Sequence, residues 1–139
     1  MIDIAIETEL KALFSQVLTP QPDELLFPML RHRATAMTFS DSGAHVSQIV
    51  DCSIQTYLLA SMVRDREIFT WEEAVRMITS RPAAHWRLQD RGLLREGLMA
   101  DLNVFDPATI APDLPVVADD LPGGGRRYVQ GRPVSPRRS

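Results

Sequence analysis

Cysteine occurs once in the 139 residues, at position 52, so no internal disulfide can form and a reducing compartment is expected. No apolar run approaches the roughly 20 residues that a membrane span needs. The opening Met1-Ile2-Asp3-Ile4 has no basic stretch ahead of an apolar core, so it does not read as a signal peptide. These absences set the expectation of a cytoplasmic protein that does not enter a membrane. There is no internal repeat and no low-complexity tract. Acids are missing from residues 121–139, which hold five arginines, leaving a charge of −8 on the first 120 residues against −3 for the whole. A basic end can touch nucleic acid. Five arginines spread among glycine and proline fit a solvated terminus better, with the flexible tail over 131–139 holding three of them, and no nucleic-acid partner is expected.

What is present is an ordinary globular composition, 45% apolar and 24% charged, in a length suited to one domain. Glu9 to Val17 suits a helix or, from Leu13 to Leu18, a strand; Thr19-Pro20-Gln21-Pro22 ends either. Asp23 to Arg31 reads as a short helix. Ala34 to Phe39, with few charges and no alternation, reads as a strand buried on both faces. Asp51 can cap a helix to about Val63, with Ile54, Tyr57, Leu58 and Met62 as its stripe. Thr70-Trp71-Glu72-Glu73 is a capping box opening a helix with Trp71, Ala74, Val75 and Ile78 on one face. Pro82 falls in the first turn of a further helix to Trp86. From Gly92 glycine, proline and short β-like pieces (Asp101 to Phe105, Tyr128-Val129) take over, so a boundary is placed near 92–97.

Ser40-Asp41-Ser42-Gly43-Ala44-His45 carries the chemistry of most interest. A carboxylate at the C-terminal end of a buried parallel strand is where (β/α) enzymes place their reacting groups. There Asp41 could take a proton from water or bind a metal. The same residues also make a good turn, since Asp and Ser bond their own backbone and Gly accepts positive φ. From the motif alone the turn is the stronger of the two readings. His45 is a candidate for substrate binding, although a lone His is more often structural. His45, Asp51 and Cys52 match no zinc framework. So short a loop can hardly align a Ser-His-Asp triad. Gly123-Gly124-Gly125-Arg126-Arg127 lacks the Lys-Ser/Thr of a phosphate loop.

Four stretches in order resemble the C-terminal part of the amidohydrolase superfamily, in its N-acyl-D-amino-acid deacylase (D-aminoacylase) branch. They are Ser40 to Val46; Trp71 to Arg76 with Thr79 and Pro82-Ala83; Asp90 to Leu94 with Gly97 and Ala100 to Pro107; and Asp120 to Gly124 with Arg126-Arg127. The resemblance implies an α/β fold. Residues 1–95 would hold the last strands (Ala12 to Leu18, Ala34 to Phe39) and helices of a (β/α)₈ metal-dependent-hydrolase barrel. Residues 96–130 would be a β-rich segment of the small domain that the family builds from both chain ends. It also implies that Asp41 is the general base acting on metal-activated water. Where the family usually has Gly this chain has Ser42, and Arg87 stands near a position the family gives to a small residue or Gly.

A whole barrel takes about 250 residues, and no His-x-His is present to supply the family's zinc ligands. The expectation is therefore an incomplete barrel, holding no zinc tightly and inactive alone. It would be completed by a front-half amidohydrolase polypeptide, or else self-associating. When complete it would hydrolyse an amide (C–N) bond of a small N-acyl amino acid. The alternative is a small non-catalytic module that binds a partner protein.

Overall fold

The computed structural model describes residues 1–12, 21–45, 50 and 52–130. Its centre is a helical block. Helix α1 (Ile2–Glu7) and helix α2 (Asp23–Arg31) precede it. Helix α3 (Ile54–Tyr57) runs directly into a π-helical segment, Leu58–Asp65; α4 (Trp71–Ile78) and α5 (Ser80–His85) complete the block. A hairpin of β1 (Val116–Leu121) and β2 (Gly125–Val129) follows.

The helices at 23–31, 71–78 and 80–85 stand where the sequence places them. The Thr70 hydroxyl accepts from the Glu73 amide at 3.2 Å and the Glu73 carboxylate accepts from the Thr70 amide at 2.9 Å, which closes the capping box. The inner faces are rotated from the sequence pattern. Along 58–65 the bonds run i to i+5 instead of i to i+4, widening the turn. That brings Leu58, Leu59, Ala60, Met62 and Val63 inside and leaves Tyr57 45% exposed. On α4 the buried residues are Ala74 and Met77, and Val75 faces out.

One core gathers these side chains. Leu58, Leu59, Met62, Val63, Phe69, Ala74 and Met77 pack with Ile110, and Leu26, Phe27 and Leu30 of α2 lean on them. Phe27 meets Phe69 edge-to-face at 6.3 Å, and Trp71 lies 6.0 Å from Phe105. Arg64 donates to the carbonyl of Ile110, which ties the irregular chain beyond α5 to the block.

Two expected strands do not form. Ala34 to Phe39 begins in a turn and then has no regular structure, pairs with no strand among the described residues, and leaves Phe39 73% exposed. Among the described residues the one sheet is the hairpin, so this segment has no neighbouring strand to satisfy its ladder. Ala100 to Phe105 is likewise irregular and is held by side chains. The expected Ala12 to Leu18 strand lies, from residue 13 on, outside the described residues. Asp51 lies outside them too, and the N-cap of α3 is Ser53.

Strand β1, which the sequence pattern did not single out, pairs antiparallel with β2 in the register Val116 to Val129 and Val117 to Tyr128, with an irregularity between Ala118 and Leu121. The glycine run that superficially resembles a phosphate loop is the hairpin's turn, with Gly123 and Gly124 at φ of 73° and 74°.

Candidate functional site

Asp41 stands where the irregular segment 34–40 ends. Its backbone is left-handed at φ 59°, Gly43 follows at 88° and His45 at 53°, and the Ala44 amide donates to the Asp41 carbonyl at 2.9 Å. Asp is one of the few residues that enter this region at modest cost. Two side chains fix the loop: Ser42 Oγ donates to the Val50 carbonyl at 3.1 Å, and Gln55 Nε2 on α3 donates to the Thr38 carbonyl at 3.5 Å.

The loop and the start of α3 enclose an open hollow of about 420 Å³, lined by Phe39, Ser40, Asp41, Ser42, Cys52 and Ile54 among others. The Asp41 carboxylate is exposed and, among the described residues, enters no hydrogen bond or ion pair. It is thus free to accept a proton or a donor from a ligand. His45 is exposed and does not line this hollow. Cys52 is anchored, its amide to Gln130 Oε1 at 3.3 Å and its thiol to the Gln130 carbonyl at 3.6 Å, while Gln130 Nε2 donates to the Asp113 carbonyl at 2.7 Å. The end of the hairpin is therefore pinned beside the hollow. Neither Gln55 nor Gln130 carries a sequence signal, because each acts by reaching a distant stretch of chain.

Among the described residues no three His, Cys, Asp or Glu side chains stand close enough together to hold a metal. The zinc site implied by the resemblance is not formed by these residues.

The other three resembling stretches hold the structure together. Gly92, at φ 87°, lies against the joint of α4 and α5; a Cβ there would stand 2.7 Å from that of Ala83 and 3.1 Å from the Thr79 carbonyl oxygen. Arg91 joins Asp90 and Asp101, each at 3.0 Å. That pairing holds the Asp90 carboxyl below its usual range, chiefly through the hydrogen bond from Arg91. In the hairpin Arg127 grips Asp120 with two nitrogens, at 2.8 and 2.7 Å, and Arg126 meets Asp119 at 3.0 Å. The Ser40 to His45 stretch leaves the Asp41 carboxylate unused by the fold, and among the described residues the Arg76 guanidinium at the end of the second stretch is unpaired as well.

Residues 15–134 match the amidohydrolase family, and the chain belongs to that family. Among curated proteins it is similar to three enzymes of Alcaligenes xylosoxydans xylosoxydans. It is 44% identical over 55 residues to an N-acyl-D-aspartate deacylase, covering 40% of this chain and 11% of that one. It is 39% identical over 79 residues to a D-aminoacylase, covering 55% and 16%. It is 38% identical over 74 residues to an N-acyl-D-glutamate deacylase, covering 53% and 15%. These alignments thus span no more than 16% of the length of these relatives. No solved structure gives a significant match. No helix among the described residues is long and apolar enough to cross a membrane.

Proposed function

We propose that this chain forms the Asp41-bearing end of an amidohydrolase barrel that cleaves the amide bond of N-acyl-D-amino acids, and that it works only with the remainder of the barrel. The observation that carries the reading is the state of Asp41: within a family-resembling motif, its carboxylate is exposed, set in a hollow and unpartnered among the described residues, while Asp90, Arg91, Asp101, Asp120 and Arg127 of the later stretches are joined in ion pairs.

In the proposed reaction Asp41 accepts a proton as a water oxygen bonds to the amide carbon. It returns that proton to the nitrogen as the C–N bond breaks, giving a carboxylic acid and an amine. A positioned base contributes roughly 10²- to 10⁴-fold, well short of the roughly 10⁶-fold or more expected of an enzyme. Groups that polarise the carbonyl are therefore required from the rest of the barrel, since no three His, Cys, Asp or Glu among the described residues could hold a metal to do so. The same requirement favours a partner of amidohydrolase type over a non-catalytic role. Phe39 is 73% exposed and Val104 84%, and such apolar surface suits burial against further barrel structure. Ala34 to Phe39 would gain in that barrel the strand neighbours it lacks.

The test joins this chain to a polypeptide carrying the front of a D-aminoacylase barrel and follows release of the free D-amino acid from N-acetyl-D-aspartate, N-acetyl-D-glutamate and an apolar N-acetyl-D-amino acid. Turnover is expected from the pair and not from either alone. Asp41→Asn, which keeps the shape of the carboxylate and loses its basicity, should lower the pair's turnover by at least about 10²-fold. Equal turnover with the substituted chain would show that Asp41 is a turn residue and that the assignment is wrong.

A further inference from the structure

Five of the arginines among the described residues (64, 66, 91, 126 and 127) are paired with a carboxylate. Of those that are not, four converge. Arg31, Arg33, Arg76 and Arg81, with Ser80 and His85, line an open hollow of about 720 Å³ between the end of α2, the irregular segment that follows it, α4 and α5. No Asp or Glu lines it. It shares no lining residue with the hollow of Asp41.

Two of these arginines are held in place by the fold. Arg81 donates to the carbonyls of Leu30 and His32, satisfying groups at the C-terminal end of α2. Arg31 donates to the Ile68 carbonyl and lies 4.9 Å above the Phe69 ring. The other two, Arg33 and Arg76, are exposed and their guanidiniums engage no hydrogen bond or ion pair among the described residues. Two fixed guanidiniums beside two free ones, in a concave surface without a counter-charge, concentrate positive potential and offer forked donors to oxygen pairs. Fixing Arg31 and Arg81 in advance also reduces the ordering cost of binding.

We infer that this hollow is a binding site for a compact anion of two or more negative charges, taken through phosphate or carboxylate oxygens. Arg33 and Arg76 make the bidentate contacts, and Arg31 and Arg81 set the surrounding field. Nothing in this site depends on the role of Asp41. Its volume suits a small molecule.

Titration calorimetry of the full chain with pyrophosphate and with citrate, at low ionic strength, tests this. At least one probe is expected to bind saturably at one site, and the stronger of the two assigns the oxygen chemistry. Arg33→Gln or Arg76→Gln should weaken it about 10-fold or more, the loss expected for a hydrogen bond to a charged group. Arg95→Gln, an exposed arginine outside the hollow, should leave it unchanged. Amide shift changes in the unaltered chain should centre on residues 33–36 and 76–85, a readout that does not depend on how the variants fold. Non-saturating heats with both probes, equal weakening by Arg95→Gln, or shifts spread over the surface would overturn the proposal.

Discussion

Residues 54–85 and residues 86–115 are of similar length and opposite character. The first stretch contains nine of the ten buried apolar residues found among the described positions; the second contains one, Ile110. In the first, helices meet one another and close a core. In the second, Leu94, Val104 and Leu114 are each 84% exposed or more, and the chain is held down by glycine packing and ion pairs. The short stretch that bears Asp41 belongs with the second kind, since no residue from 34 to 45 is buried. Stability and proposed chemistry thus occupy different parts of the chain. The helical block stands on its own packing, while the proposed reacting end presents surface that further structure would cover.

The sharpest way to break this contrast is to cut a side chain from each region. Leu58 is 1% exposed, and Leu58→Ala is expected to cost about 2–5 kcal/mol of unfolding free energy. Leu94 is 87% exposed, and Leu94→Ala should stay within about 0.5 kcal/mol. Urea melts followed by far-ultraviolet circular dichroism measure both. A large loss from Leu94→Ala would mean that this face is covered in solution, for example by a second copy of the chain.

The same division explains what could be read from the sequence. Helices whose signals are local were legible: the capping box at Thr70 and the Asp23 to Arg31 pattern both appear at their expected bounds. The inner face of 58–65 was not, because i to i+5 bonding changes the period on which stripe arguments rest. Strands were the weak point, since a strand exists only with a neighbour. Ala34 to Phe39 has the right composition and no partner strand among the described residues, while Val116–Leu121, with two aspartates, pairs well because Arg126 and Arg127 return across the turn. Asp41 was legible through its motif. The arginine hollow was not, because Arg33, Arg76 and Arg81 come together only where Arg81 of α5 reaches the carbonyls of Leu30 and His32 at the end of α2.

Backbone positions sharpen the comparison at an intermediate scale. Gly92→Ala would place a methyl 2.7 Å from Ala83 Cβ in a left-handed backbone, and a cost of about 2–4 kcal/mol is expected. Arg87 is the reverse case. At φ 57° it ends α5, with the Leu88 amide bonded to the Ala83 carbonyl at 2.8 Å and its own to Ala84 at 3.2 Å. Glycine fits that position better, so Arg87→Gly should stabilise the fold by about 1 kcal/mol. Thermal midpoints of the two variants should move in opposite directions. A neutral Gly92→Ala would show that the segment from 86 onward does not rest on the helices.

The smallest effect expected is in acid. Among the described residues the core contains no buried charged or polar side chain, so lowering pH finds little there to protonate. The hairpin differs. The hydrogen bond from Arg127 holds the Asp120 carboxyl below its usual range, with charge attraction adding to it and desolvation opposing. A carboxyl whose folded value lies below its unfolded value of about 3.9 contributes stability at higher pH. That contribution is lost as pH falls through the folded value. The pair is exposed, so the contribution is small and weakens further in salt. Hydrogen exchange of the β1 and β2 amides, compared with those of α4 between about pH 5 and pH 2, should show extra opening of the hairpin alone after correction for the intrinsic rates. Asp120→Asn should already show that opening at about pH 5 and change little on acidification. If α4 opens at the same pH as the hairpin, the two regions are one cooperative unit, and the division between a self-sufficient block and a dependent remainder fails.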